Sequence, residues 1–245
     1  MTAVPAQTFA PLFSVVVPAR DESERIGACL DATARASRAC PGAVETIVVC
    51  NRCTDGTGEI ARARGAQVAV ENARNLSLVR NAGARLARGK ILVTVDADSV
   101  MSDNMLSEIE RKLRNPRCVG GGVMIRPERL SLGIALTGLL IYCSVPIGLS
   151  AGLFWCRRRD FEAVGGFDPG RRVGEDIDFA RRLRAHGRRT GRRFRTLYRA
   201  FITTSCRKFD YFGDWYLLRR PWLVGAALRG GADRLADRFF YDFPR

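Results

Sequence analysis

Two aspartates one residue apart, Asp96 and Asp98, close the apolar, β-branched run Val93-Thr94-Val95. With a strand's side-chain period of two, both carboxylates are expected to leave the sheet edge on the same side. Converging acids repel unless positive charge sits between them. A hard divalent cation with oxygen ligands answers that need, above all one that also grips phosphate. The plainer reading is a pair of solvated acids in a strand-to-helix turn, with Asp98 or Ser99 capping the next helix. A second acidic group, Glu175, Asp176 and Asp178 after Gly174, opens a helix, where the helix dipole favours negative charge. That role suffices for Asp178. Cys50-Asn51-Arg52-Cys53 has the spacing of a thioredoxin-type redox pair and lies between a strand and a helix. His186, the only histidine, falls further along the helix that Glu175 opens and is expected at the surface.

Repeated strand–helix units must position these groups. Strands are expected over Phe13–Val17, stopped by Pro18, and over Val44–Cys50, Gln67–Glu71, Lys90–Asp96 and Cys118–Ile125. Helices are expected over Asp21–Ala39, Gly58–Arg64, Leu76–Ala87, Ser102–Arg114 and Phe161–Phe167. Strand and helix alternate without hairpin turns, which argues for a mostly parallel central sheet flanked by helices, an α/β, Rossmann-like fold. Ligands of such sheets bind outside the carboxyl ends of the strands. The polar segments Pro18–Glu22, Asn51–Asp55 and Asp96–Asp98 are therefore expected to share one rim. No GxGxxG comes after the first strand, which argues against a dinucleotide cofactor. The glycines of Cys118–Ile125 imply close approach of the backbone to something.

The 245 residues suffice for one large α/β domain or two small ones, and 47% hydrophobic with 27% charged residues is ordinary for a globular chain. A formal net charge of +15 is not ordinary and favours an anionic partner. Eight cysteines without a regular framework, and no basic-then-apolar leader in residues 1–11, point to a cytoplasmic protein with reduced thiols. Leu130 to Cys156 carries no charged residue and is long enough for a transmembrane span, but Gly133, Gly138, Pro146, Gly148 and Gly152 interrupt it. A single crossing would also put Asp96 and Asp98 on the opposite side from Glu175 and Asp176. A helix of about four turns lying in the interface or covering the site is expected instead, with a strand after it near Leu153–Cys156. From Arg195 onward aromatic and basic residues alternate, including Phe201, Phe209, Tyr211, Phe212, Trp215, Tyr216, Trp222, Phe239, Phe240 and Tyr241. Such a surface suits a membrane interface or stacking on bases.

Six segments resemble, in order and spacing, the inverting family 2 glycosyltransferases, nucleotide-sugar enzymes of GT-A fold. They are Phe13–Glu22, Val48–Thr57, Arg80-Asn81-Ala82-Gly83, Asp96-Ala97-Asp98, Gly165-Gly166-Phe167-Asp168 and Gly174-Glu175-Asp176. The resemblance implies that Pro18, Ala19, Arg20 and Glu22 hold the base and ribose of the donor. Asn51, Arg80 and Asn81 join them on the donor side. Asp96 would reach the ribose or a bound Mg²⁺ or Mn²⁺, and Asp98 would be the principal metal ligand. Asp176 matches the general base, with Glu175 as an acceptor-side or orienting group, and Gly152 and Gly174 lie on the acceptor side. The family usually carries one or two aspartates where Cys50 and Asn51 stand, and often serine at Cys53, so the CxxC is read as structural.

The resulting layout is an N-terminal tail (1–12), a GT-A domain (13–200) and a C-terminal helical, basic and aromatic extension (201–245). Within the domain, 13–100 would bind the donor and 101–200 would serve acceptor and catalysis. The expected reaction is metal-assisted, inverting transfer from a nucleotide sugar to a glycan, lipid-linked or small-molecule acceptor. It is expected at the inner face of an anionic membrane with peripheral contact. A nucleic-acid-binding module would leave the acidic motifs unexplained, since acids at a binding rim repel phosphate. A sugar-nucleotide nucleotidyltransferase would require a glycine-rich basic loop where Pro18-Ala19-Arg20-Asp21-Glu22 stands.

Overall fold

The computed structural model describes residues 10–40, 42–144, 152–171 and 173–220. The expected break at Pro146, and Trp222, Phe239, Phe240 and Tyr241, lie outside the described residues. The first half keeps the alternating pattern: β1 (Phe13–Ala19), α1 (Ile26–Arg38), β2 (Val44–Cys50), α2 (Thr57–Ala63), β3 (Gln67–Val70), α3 (Leu76–Leu86) and β4 (Ile91–Val95). Then come β5 (Ser99–Met101), α4 (Met105–Leu113), β6 (Cys118–Pro127), α5 (Leu132–Ser144) and β7 (Leu153–Arg157). The described chain closes with α6 (Arg158–Ala163), α7 (Glu175–Arg189), β8 (Arg193–Thr204), α8 (Arg207–Phe212) and α9 (Tyr216–Arg219).

The strands form one sheet in the order β3-β2-β1-β4-β7-β6-β8-β5. The first four are parallel, as the alternation requires. β7 then runs antiparallel to both β4 and β6, β6 and β8 are parallel, and β5 is antiparallel to β8. Side chains of successive strand residues go to opposite faces. Val15 and Val17 enter one core with α1, α2 and α4, while Val16 enters another with α3, α6 and α7.

Several expectations change. Pro18 does not end the first strand but lies within β1, opposite Val49 of β2. Pairing with β4 stops at Val16, so Pro18 has a neighbour on one side only, where a missing N–H is tolerated. The first helix begins at Ile26 rather than Asp21, because residues 21–25 are used in turns around the Glu22 carbonyl. Asp98 leads into a strand, β5, and not into a helix. β8 runs past position 200, so the sheet includes the first residues of the stretch read as a C-terminal extension.

Only the turn 96–98 separates β4 from β5, yet β7, β6 and β8 lie between them in the sheet. That is possible only because the sheet curls back on itself. The bend lies where the β6–β8 register jumps from Val123 opposite Leu197 to Met124 opposite Phe201, extra β8 residues being accommodated as a bulge. The glycines of β6 let neighbouring strands close in. Trp155 is fully buried, its indole N–H donates to the Gly122 carbonyl, and a Cβ on Gly121 would run into the carbonyl of Arg195. The partner that these glycines admit is therefore the protein's own Trp155 and β8.

Among the described residues no helix is long and apolar enough to cross a membrane. Gly121→Ala is expected to lower the urea-unfolding free energy by about 1–3 kcal/mol through overpacking. Gly138→Ala in α5, where a Cβ meets open space, is expected to leave it unchanged or raise it by up to about 1 kcal/mol.

Candidate active site

The acidic motifs meet on one buried arginine. α3 starts at Asn75, whose side-chain oxygen accepts from the Leu78 N–H as an N-cap. One turn after Arg80, Gly83 lets the helix press on Val16 of β1 and Val49 of β2, where any Cβ would collide. The same face carries Arg80, 1% exposed, over the carboxyl end of the sheet. Its Nη2 donates to Asp96 Oδ1 at 2.8 Å, and its Nη1 donates to Glu175 Oε1 at 2.8 Å and Asp176 Oδ1 at 2.7 Å. Phe167 lies beneath the guanidinium, 5.1 Å away.

Glu175 and Asp176 reach Arg80 because α7 begins there. Gly174, the N-cap, has a left-handed φ of 74° that an L side chain disfavours, so it sets the entry angle of the helix. Gly152, also left-handed, precedes β7 and donates its N–H to Asp176 Oδ2 over a long 3.4 Å. Asp178 is held on the outer side by Arg171 and Arg182, in keeping with a structural role.

One guanidinium among three carboxylates leaves an excess of negative charge. Burial opposes the charge on Arg80, but Asp176, Asp96 and Glu175 outweigh it and push its pKa further up. Burial, then Glu175 and Asp96, pushes Asp176 up to about 7 despite Arg80 and the Gly152 N–H. Asp176 therefore exchanges its proton near neutrality.

Asp96 and Asp98 each engage an arginine. The chain turns between them, the Ser99 N–H donating to the Asp96 carbonyl, and each carboxylate meets its own arginine. Asp98 lies 3.6 Å from Arg207 Nη2, which also donates to both oxygens of the buried Glu22 at 2.8 and 2.7 Å. Arg207, at the start of α8, thus links the rim after β1 to the turn after β4. Its role is invisible in the sequence, since nothing distinguishes it within a long basic and aromatic run.

Other expected donor-side residues are engaged internally. Pro18 and Ala19 are buried in β1, and Arg20 is partly exposed at its end. The Asn51 amide donates to the carbonyls of Glu71 and Ala73, tying β2 to the loop after β3. Asn81 donates to the Phe167 carbonyl and accepts its N–H, so its amide holds the Gly166-Phe167 turn rather than facing the rim. The two rim turns are bound to each other. Asp21 accepts from the Thr54 N–H, and Asp55 accepts from the N–H groups of Ser23 and Thr57. Burial alone would raise the Asp55 pKa, yet bonds from Thr57 and Ser23 hold it at about 2. His186 is not a free surface group but packs on the buried Asp160 beside Arg192, at the opposite end of β7.

Two groups of side chains could offer ligands to a cation. Asp21, Cys53 and Asp55 have ligand atoms within 4.8 Å of one another, but both carboxylates already accept backbone N–H groups. Asp96 and Asp98 are part-exposed, with side chains 35% and 28% accessible, and offer hard oxygen ligands on the open rim. Two carboxylates fit a Mg²⁺ or Mn²⁺ that completes its shell with water and phosphate oxygens, not one caged by protein.

Residues 14–134 match the model of a family described as glycosyl transferase family 2. No curated protein matches the chain in sequence. A solved mannosyltransferase from Pyrobaculum calidifontis, in complex with GDP-Man and Mn²⁺, has TM-score 0.64 and 22% identity over 94% of this chain and 76% of its own. Glucosyl-3-phosphoglycerate synthase from Mycobacterium tuberculosis, in complex with Mn²⁺, UDP and phosphoglyceric acid, has TM-score 0.62 and 19% identity over 91% and 80%. S. aureus TarS has TM-score 0.59 and 17% identity over 94% of this chain, which spans only 42% of TarS. At these identities the likeness is one of fold.

The Asp176 shift has a consequence for stability. Between about pH 4 and about 7 the unfolded carboxyl is ionised while the folded one keeps its proton, so its contribution to stability falls as pH rises. Asp176→Asn removes that slope. Its melting temperature is expected to match wild type near pH 5 and to exceed it near pH 8, measured by calorimetry across roughly that range.

Proposed function

Because residues 14–134 belong to glycosyl transferase family 2, we propose that the chain transfers a sugar from a nucleoside-diphosphate donor to an acceptor hydroxyl, with inversion. The observation that carries the reading is the Arg80 contact. One buried guanidinium bonds both Asp96, at the end of β4, and Asp176, at the start of α7, bringing a leaving-group side and a base side to one rim. It also argues that the acids before and after residues 130–156 lie on the same side of any membrane, since they touch the same side chain.

In this mechanism Asp98 and Asp96 would hold Mg²⁺ or Mn²⁺, which when bound would supply a Lewis acid for the charge on the diphosphate leaving group. The rim after β1, with Arg20 and Glu22, receives the nucleoside, and Arg207 supplies positive charge between Glu22 and Asp98. Asp176 takes the acceptor hydroxyl's proton as that oxygen attacks the anomeric carbon. A carboxylate titrating at about 7 suits that step, since it is ionised often enough to act and basic enough to hold the proton. Glu175 and Arg80 fix its orientation, while Gly152 and Gly174 shape the acceptor side. One base with no enzyme nucleophile gives a single displacement, hence inversion.

We place the enzyme in the cytoplasm, at the inner face of the membrane. Cys29, Cys40, Cys50, Cys53, Cys118, Cys156 and Cys206 are free thiols, which supports a reducing compartment, and the +15 charge supports contact with anionic headgroups.

Melting with UDP or GDP, with and without Mn²⁺, tests donor binding; absence of any metal-dependent nucleotide stabilisation overturns the reading. Asp98→Ala is expected to lose that stabilisation. Asp176→Asn is expected to keep it while transfer, found by a donor-hydrolysis screen across UDP-, GDP- and dTDP-sugars, falls by about 10² or more. In wild type, kcat/KM is expected to rise with pH through about 7 as Asp176 ionises.

A further inference from the structure

α5 is the one described helix of ten residues or more without a charged residue. Ile134 and Thr137 face the protein and are buried. On the other side Leu132, Leu136, Leu139 and Leu140 are 68%, 39%, 56% and 60% exposed, and Leu130 just before the helix is 77% exposed. Their spacing of four, three and one puts them on one helical face. α1, α3, α4 and α7 instead carry charged residues on their outer faces. An apolar surface this continuous marks a contact site.

The segment beside it adds the chemistry of an interface. Arg129 donates to Asp210 and Asp214, and Gly133 of α5 packs on the Asp214 backbone, fastening α8 and α9 to the start of α5. From that segment Tyr211 is 55% and Trp215 40% exposed. Amphipathic rings next to leucines are what the boundary between headgroups and acyl chains accommodates. Arg219 is exposed, and Arg220 stacks on Tyr216. Charge decides between occupants. A second copy carries the same net +15, which disfavours its approach, whereas anionic headgroups are attracted.

We propose that the leucine face of α5, with Tyr211 and Trp215, is a docking surface for a bilayer containing anionic lipid. It lies against that surface without crossing it. The same segment reaches the candidate site, because Arg207 at the start of α8 holds Glu22 and Asp98 while the segment's rings face outward. Docking therefore holds the rim close to the membrane, within reach of an acceptor class of lipid-anchored hydroxyls presented at the headgroup level. The docking face rests on its own exposure and charge; only the acceptor class rests on the transferase reading above.

The test uses the full chain and sedimentation with vesicles of phosphatidylcholine alone or mixed with phosphatidylglycerol. Wild type is expected to bind the mixed vesicles, weakly at high salt, and to bind the neutral ones poorly. Leu132→Glu/Leu140→Glu is expected to lower the partition coefficient by about tenfold or more. A milder Leu139→Ser/Leu140→Ser pair is expected to lower it by a smaller factor, with an unchanged melting curve showing that the fold is retained. Failure of wild type to bind mixed vesicles, or equal binding by both variants, overturns the proposal. So does a wild-type dimer in size-exclusion chromatography that the leucine substitutions dissociate without affecting vesicle binding. Leucine-dependent vesicle binding without Mn²⁺-dependent nucleotide stabilisation upholds the docking face and overturns the transferase reading, so the two failures are distinguishable.

Discussion

The arrangement depends on a single buried charge. Arg80 lies out of water between Asp96, Glu175 and Asp176, and a guanidinium in that position is tolerable only with its acids in place. Removing the cation of such a set typically costs about 3–5 kcal/mol, because its acids are left without compensation, whereas loss of one acid still leaves two on the guanidinium. The interaction therefore fixes the end of β4 against the start of α7 while leaving Asp176 in an environment that favours its protonated form near neutrality. Structural and electrostatic roles coincide in one side chain.

A second constraint comes from the curl of the sheet. Because β5 comes only three residues after β4 but pairs with β8, the far edge of the sheet must return to its middle. The return brings the end of β8, and Arg207 just beyond it, over the turn carrying Asp98. The glycines of β6 and the irregular β6–β8 register make the curl possible. A rim built from β1, β2 and β4 alone would lack its second arginine. The same C-terminal segment is fastened to α5 by Arg129, so the apolar outer surface and the polar rim are tied to one structural unit.

Much of this is legible in the sequence, and the boundary tracks interaction range. β-Branched runs, helical spacing and glycine stops are local, so the parallel half of the sheet and its helices can be read with boundaries shifted by a few residues. Aspartates at a strand end and acids after Gly174 are recognisable as chemistry-bearing from residue type alone. What local pattern leaves out is contacts whose partners lie far away. Asn51 and Asn81 are read as ligand contacts from residue type, and that reading carries no sign of the bonds their amides also make to Glu71, Ala73 and Phe167. β8 is hidden in the sequence although Leu197, Ala200 and Ile202 are buried and the first residues of Arg193–Thr204 alternate in exposure; its many arginines mask the pattern.

By itself, then, the sequence determined the α/β class, the rim at the strand ends and the residue types on that rim, because these come from periodicity and local chemistry. The tertiary structure alone decided that Asp96 and Asp98 answer to different arginines, that Arg80 joins Asp96 to Asp176, and that Arg207 belongs to the site. Those contacts span 16 to 185 residues of chain and exist only once the sheet has curled and α3 has closed on it through Gly83. No local pattern records which buried charge will find which partner; that is settled by where packing leaves each charge with no water to turn to.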